Sequence, residues 1–471
     1  MTKSLKKLLS GALIALVAIL AANGLQAFAS DTYPNHYRVG AGTPENPEQA
    51  VITKHLETPI GTTLPNTLFT FDFTPLGGDD LPSNTQPGPT VAGPAIPSVS
   101  TEQITSTTPT VAQPAPRDDV LRATVHTPNA LADVVWTSAG VFVYQVVERT
   151  TTFTPTNPER ENMYFDTIQY NLYVTIGIAP NGDFYVRGTH AWVRGPEGEN
   201  VGPKLNPNPW RGPDYLGGDL IFENRFIRRT DDISTIFEIP SIPGPGTSVT
   251  GPGGIPDPGI PGDLDAALIV TNRVTGSNSS INTTFPFTGT FTHTTLVNEV
   301  VADGIANSSV TYGPVTAWIY YNDGDGNFVR GRRGPAGDLP LYYIFTPGAP
   351  MNFELRHGEV LIFDRIPIGN IFVMTETDSL GYVPRIDLIV NGYEVGDGAA
   401  LTQPGSIGTD NVPAPPHRLG ESSNVAAFTN VNDPTPITGL ITNNLPVILV
   451  TVGAIGLVSV TVASKRRRAY A

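Results

Sequence analysis

Ala50-Val51-Ile52-Thr53-Lys54, followed by Leu68-Phe69-Thr70-Phe71-Asp72-Phe73, decides how this chain is read. In the second stretch phenylalanines alternate with Thr70 and Asp72, the period-2 pattern of a strand with one face in a core. In the first, a lysine closes a short apolar run. An ammonium carried into a β core must lose its proton or find a partner, because an unpaired buried charge is expensive. Lysine is also scarce here. Lys3, Lys6 and Lys7 lie near the N-terminus and Lys465 near the C-terminus, so the middle of the chain holds only Lys54 and Lys204.

Working outward, strand patterns fill residues 48–230. Gly140 to Glu148 and Ile168 to Ile176 are rich in β-branched and aromatic residues, and Asn181-Gly182 marks a tight turn before Phe184-Tyr185-Val186. Leu220-Ile221-Phe222-Glu223-Asn224 reads as the last strand. No window sustains a helical period, which predicts a β-sandwich. Within it, Leu76 to Asp119 is dense in Pro, Thr, Ser and Gly and reads as an exposed insertion (76–119) with little regular structure. A Pro/Gly-dense stretch over 240–262 reads as a semi-stiff linker.

The plan then recurs over 265–432. Ile269-Val270-Thr271-Asn272 echoes Val51-Ile52-Thr53-Lys54, and Phe285-Pro286-Phe287 echoes Phe69-Thr70-Phe71. Ile371 to Glu376 echoes Val143 to Glu148, and Ala427-Phe428-Thr429-Asn430 echoes Ile221-Phe222-Glu223-Asn224. Landmarks repeated in one order predict a duplicated architecture, all-β, with two tandem sandwiches. One landmark changes, since Asn272 stands where the first copy has Lys54.

The ends carry addresses. Residues 1–29 read as a signal peptide, with a basic start, an apolar core over Ala12 to Ala22 and a small-x-small site at Ala27-Phe28-Ala29; a retained anchor helix is the alternative. Residues 435–471 contain Thr435-Pro436-Ile437-Thr438-Gly439, an apolar run over 445–463 long enough to span a bilayer as a transmembrane helix, and Lys465-Arg466-Arg467-Arg468. The 471-residue chain has a formal net charge of −15 and no cysteine, so no disulfide staples these domains and no basic stripe offers itself to nucleic acid.

Three of these features together resemble a known family. The Lys…Val-Val-Glu…Phe-x-Asn order of the first domain is similar to the streptococcal pilin isopeptide-linkage domain of Gram-positive major pilins. The second domain, with Phe353-Glu354-Leu355-Arg356-His357-Gly358-Glu359, Ile366-Pro367-Ile368-Gly369 and Thr375-Glu376, resembles pilin and collagen-adhesin B-type sandwiches. The C-terminal segment resembles a sortase sorting signal, with Thr435 where the LPxTG pattern has leucine. The resemblance implies Ig-like, pilin-type sandwiches on an exported protein anchored at the cell wall. Its partners would be a sortase, peptidoglycan and other pilin subunits; a surface adhesin binding a host glycan or matrix protein is the alternative. It further implies that Lys54 and Asn224 form an intramolecular isopeptide bond with Glu148 as proton shuttle, the protonated acid holding the oxygen of the Asn224 amide. The residues alone leave another reading open, in which Lys54 reaches the surface and Glu148 and Asn224 are ordinary strand-end polar groups. The second domain keeps Glu376 and Asn430 but has no lysine to use. Lys204 lies in a polar loop, Gly202-Pro203-Lys204-Leu205-Asn206, and reads first as a solvated side chain; if a sortase joins subunits into a fibre, it is the amine to test.

Other signals are weaker. Asp323-Gly324-Asp325-Gly326-Asn327 alternates carboxylates as calcium loops do, yet lacks the closing glutamate and reads as a hairpin turn. The 7 histidines are scattered, and no cofactor motif or nucleophile elbow occurs. The chain therefore reads as a structural protein and sortase substrate, not an enzyme.

Overall fold

The computed structural model describes residues 37–83, 91–211, 217–234, 236–242, 259–262, 267–276, 279–302, 312–333 and 339–432. The leader (1–29) and the sorting segment (435–471) lie outside them. Among the described residues no helix is long and apolar enough to cross a membrane. The chain divides into two compact units, each all-β in its sheets.

In unit 1 two sheets stack face to face. The first runs β4 (Thr110–Ala112), β5 (Val120–His126), β1 (Ile52–Pro59), β11 (Leu220–Arg228) and β7 (Glu161–Tyr164). The second runs β10 (Asn200–Leu205), β9 (Phe184–Arg194), β8 (Tyr170–Ile178), β6 (Gly140–Glu148), β2 (Thr70–Leu76) and β3 (Val99–Ser100). Alternation along the strands sends Leu56, Phe71, Tyr144, Leu172 and Phe222 into one core. The hairpin between β8 and β9 turns at Gly182, whose φ of +91° lies where a side chain would be strained.

Three expectations change. The 76–119 stretch is not a bare insertion. It supplies β3 and β4, and it buries Ile96 and Ile104 in the core. Unit 1 also contains a helix, α1 (Thr295–Ala302), because the segment His293–Tyr312 groups with this unit and not with the second. Thr294 caps it by accepting the Val297 N–H, Asp119 accepts the Thr295 N–H, and Leu296, Val297 and Val300 pack on Val120, Tyr164 and Ile227. Arg117 ties its Glu299 to the buried Glu57 of β1. Finally, Lys204 sits in the edge strand β10, not in a loop, and is exposed beside the Trp192 ring at 6.0 Å.

Unit 2 has its own pair of sheets. The larger contains, in order, β12 (Glu238–Ile242), β16 (Asn327–Arg330), β15 (Val315–Asn322), β19 (Glu359–Phe363), β13 (Leu268–Thr275), β23 (Asn424–Val431) and β21 (Val383–Val390). The edge strand β17 (Tyr342–Phe345) pairs with β15. The smaller contains β18 (Met351–Leu355), β14 (Phe285–Thr292), β20 (Ile371–Glu376) and β22 (Ile407–Gly408). The unit begins at Thr230, so the 240–262 linker is corrected at its ends. Glu238–Ile242 pairs with β16, Ile260–Pro261 pairs with β12, and Ile239 and Ile260 are buried. Asp323 to Asn327 is the turn of the β15–β16 hairpin, with the Asp323 carboxylate accepting the N–H groups of Asp325 and Asn327.

Candidate functional site: a buried lysine, glutamate and asparagine

Strands β1 and β11 of unit 1 are parallel neighbours. In β1 and β11, Lys54 stands opposite Phe222 and Leu56 opposite Asn224. Successive side chains on a strand alternate between faces, so Lys54 and Asn224, two residues out of register, point to the same face, into the core. Glu148 ends β6 in the facing sheet, opposite Phe71 of β2. The fold thus brings the three residues together from positions separated by 94 and 76 residues.

Lys54 and Asn224 are 0% exposed and Glu148 is 8% exposed, which rules out a lysine reaching the surface. One carboxylate oxygen of Glu148 accepts from Lys54 Nζ at 2.8 Å, and the other accepts from Asn224 Nδ2 at 2.7 Å. The carboxyl group bridges amine and amide. Aromatic rings wall the site, with Nζ 4.8 Å from the centroid of Phe69 and 5.9 Å from that of Phe222.

The orientation of the Asn224 amide follows from its second contact. The backbone N–H of Asp166 donates to Asn224 Oδ1 at 2.8 Å, and a donor there requires oxygen, so Nδ2 faces Glu148. This corrects the expectation that the acid would hold the amide oxygen. Asp166 is the residue that sequence reasoning missed. Its own carboxylate accepts the N–H of Glu223 at 2.9 Å and that of Ile168 at 2.9 Å, which pins its backbone amide against β11. Nothing in the pattern around Asp166 announces that role.

Burial shifts both ionisable groups toward neutrality. Desolvation lowers the Lys54 ammonium to about 8, with Glu148 opposing the shift. Desolvation also raises the Glu148 carboxyl, while Lys54 and Asn224 pull it back. A neutral amine beside a protonated acid is thereby brought within reach near physiological pH.

Unit 2 repeats the register. In β13 and β23, also parallel, Asn272 stands opposite Phe428 and Val274 opposite Asn430. Glu376 ends β20 opposite Phe287 of β14, as Glu148 ends β6 opposite Phe71. Asn430 Nδ2 donates to Asn272 Oδ1 at 3.1 Å, and Asn272 Nδ2 to the Leu355 carbonyl at 3.1 Å. Neither oxygen of Glu376 accepts a hydrogen bond, although the residue is fully buried. Desolvation pushes its pKa up to about 8, which the nearby Asn430 amide offsets only in part.

Neither a family model nor a curated protein matches this chain. Among solved structures, the major pilin from Streptococcus pyogenes is similar at 17% identity over 82% of this chain and 99% of its own, with a TM-score of 0.29. The T3.2 major pilin of the same species gives 15% identity, 82% and 99% coverage and a TM-score of 0.28. A pilus-presented adhesin gives 11% identity, 81% and 100% coverage and a TM-score of 0.21. At such scores neither fold nor function follows from the likeness.

Proposed function

We propose that this chain is a cell-surface structural subunit of pilin type whose first unit closes itself with an isopeptide bond between Lys54 and Asn224. The observation that carries the reading is the single buried carboxyl of Glu148 set between Nζ and Nδ2, at 2.8 and 2.7 Å. The amine attacks the Asn224 side-chain carbonyl carbon. A C–N bond forms to Nζ, and the charge developing on Oδ1 is met by the Asp166 N–H. Glu148 removes the proton from Nζ at one oxygen and delivers a proton to Nδ2 from the other, so the carboxyl ends as it began. The bond to Nδ2 breaks and ammonia leaves. Folding supplies the proximity that an external enzyme would otherwise provide. The reaction runs once per chain, needs no cofactor and turns over no external substrate.

Around that bond the rest of the reading is assembled from the sequence. Residues 1–29 direct export. A sortase cleaves the Thr435-Pro436-Ile437-Thr438-Gly439 segment after Thr438 and joins the chain to peptidoglycan, leaving the 445–463 span behind. Lys204, exposed on an edge strand, is the amine through which other subunits would attach.

Intact mass and peptide mapping of the purified chain test the core of this. The mature protein is expected to be lighter by one ammonia, about 17 Da, with the loss mapped to a peptide joining β1 to β11. Lys54→Met and Glu148→Ala are each expected to restore the full mass. A full-mass wild type, or a deficit that persists in Lys54→Met, removes the assignment.

A further inference from the structure

We propose that the second unit holds a cross-linking centre complete except for its nucleophile, so that an amine supplied at position 272 joins β13 to β23 through Asn430, with Glu376 as the proton shuttle. The inference rests on the chemistry assigned to the first unit and extends it to a site that the chain does not use.

The register carries the first part of the argument. Asn272 and Asn430 occupy the two-residue offset that Lys54 and Asn224 occupy, on strands of the same parallel sense. Glu376 reaches in from the facing sheet at the end of a strand, paired with a phenylalanine, as Glu148 does. The aromatic walls are kept as well, with Phe285 and Phe428 fully buried where the first unit has Phe69 and Phe222.

The orphaned polar atoms carry the second part. Buried polar groups are ordinarily hydrogen-bonded, and each exception calls for a reason. Here both carboxyl oxygens of Glu376 and the Oδ1 of Asn430 lack a hydrogen-bond partner at the same spot. A carboxyl kept only for structure would be satisfied by its surroundings. In unit 1 the corresponding carboxyl is satisfied by the lysine on one side and the amide on the other. Asn272 is too short to take the lysine's place, and its own amide nitrogen is engaged by the Leu355 carbonyl. With burial disfavouring its charge and Asp378 adding repulsion, Glu376 is held as the neutral acid that the shuttle requires.

The reaction expected of Asn272→Lys balances as in unit 1. The new amine forms a C–N bond to the Asn430 side-chain carbonyl carbon, the bond to Nδ2 breaks, and ammonia departs with protons relayed by Glu376. The test is intact mass and peptide mapping of the full chain as wild type, Asn272→Lys, and Asn272→Lys combined with Glu376→Gln. Asn272→Lys is expected to lose one ammonia more than wild type, about 17 Da, within a peptide joining β13 to β23, and the double variant is expected not to lose it. A folded Asn272→Lys with no additional loss overturns the proposal. So does a variant that fails to fold, because a site shaped for a lysine accommodates one. Independently, the carboxyl signal of Glu376 in wild type, assigned by infrared difference against Glu376→Gln, is expected to be that of a neutral acid at pH 7; an ionised group overturns the proposal. The mass measurements keep the two readings apart. A wild type without the β1–β11 loss sinks the first unit's bond, whereas a wild type with it and an Asn272→Lys chain without a second loss sinks only this inference.

Discussion

The parallel pairs β1–β11 of unit 1 and β13–β23 of unit 2 bear comparison side chain by side chain. In unit 1 an amine, an acid and an amide meet, and every polar atom of the acid is engaged. In unit 2 an amide replaces the amine and pairs with the other amide, and neither oxygen of the acid accepts a hydrogen bond. One residue, Lys54 against Asn272, separates a hydrogen-bonded cluster from one whose acid is unsatisfied, and on the proposed reading a reactive cluster from an inert one. The backbone places the groups, and the chemistry depends on whether the one primary amine is present.

The largest effect expected to break this comparison is loss of the lysine. Lys54→Met preserves bulk and removes the nucleophile. Linking Lys54 to Asn224 closes a loop of about 170 residues, and chain-entropy reasoning developed for disulfides assigns loops of that order about 5 kcal/mol. Thermal unfolding of Lys54→Met should therefore lose the first unit's advantage and bring its melting temperature down toward that of unit 2. An unchanged transition would dissolve the contrast.

The pH dependence sharpens it next. Glu376 has a folded-state pKa raised to about 8 from an ordinary 4.5. A raised pKa means that the folded state holds the proton more tightly, so the stabilisation is complete below the unfolded value and is lost as pH climbs through the folded one. Unit 2 should weaken between pH 5 and 9, by an amount on the order of a few kcal/mol. Glu376→Gln should flatten that profile, while the unit 1 transition keeps its own. Parallel curves for wild type and Glu376→Gln would show the acid to be ordinary.

A smaller, kinetic effect concerns Asp166. Asp166→Ala removes the carboxylate that pins its backbone amide and leaves that amide in place. Bond formation on refolding, followed as ammonia loss with time, should slow by about tenfold, less than the 10²–10³ seen when an oxyanion donor is deleted outright. The end point should match wild type, and a rate equal to wild type would reduce Asp166 to a loop anchor. Lys204→Ala should change the least. As an exposed edge-strand substitution it should alter stability by no more than about 0.5 kcal/mol and leave the internal bond intact. Loss of high-molecular-weight ladders in cells expressing that variant is the expected sign that Lys204 joins subunits.

Much of this was legible in the residues because period-2 patterning and a lone buried lysine are strong signals. Phe69-Thr70-Phe71 and Phe285-Pro286-Phe287 announced their strands, and the echo placed Glu376 and Asn430 at their matched register positions. What stayed hidden was set by tertiary context. Ile96 and Ile104 lie in Pro- and Thr-rich sequence, and strands as short as Val99–Ser100 leave no period to detect. Helix α1 spans only 8 residues, too few turns to show its apolar face against the flanking strands. The role of Asp166 comes from a backbone amide, which no side-chain pattern encodes.

The parallel pairing of β1 with β11, and of β13 with β23, has a mechanical meaning. A pull applied at the outer ends of two parallel neighbours loads their hydrogen bonds together in shear, not one after another as in a zipper. In unit 1 the proposed Lys54–Asn224 bond would let tension pass from β1 to β11 without reaching the strands between them. The parallel pair β13–β23 of unit 2 has no lysine for such a bond, so on the proposed reading it would yield first. The molecule would then pair an inextensible link with a sacrificial one, and a tether built this way absorbs a sudden load without parting.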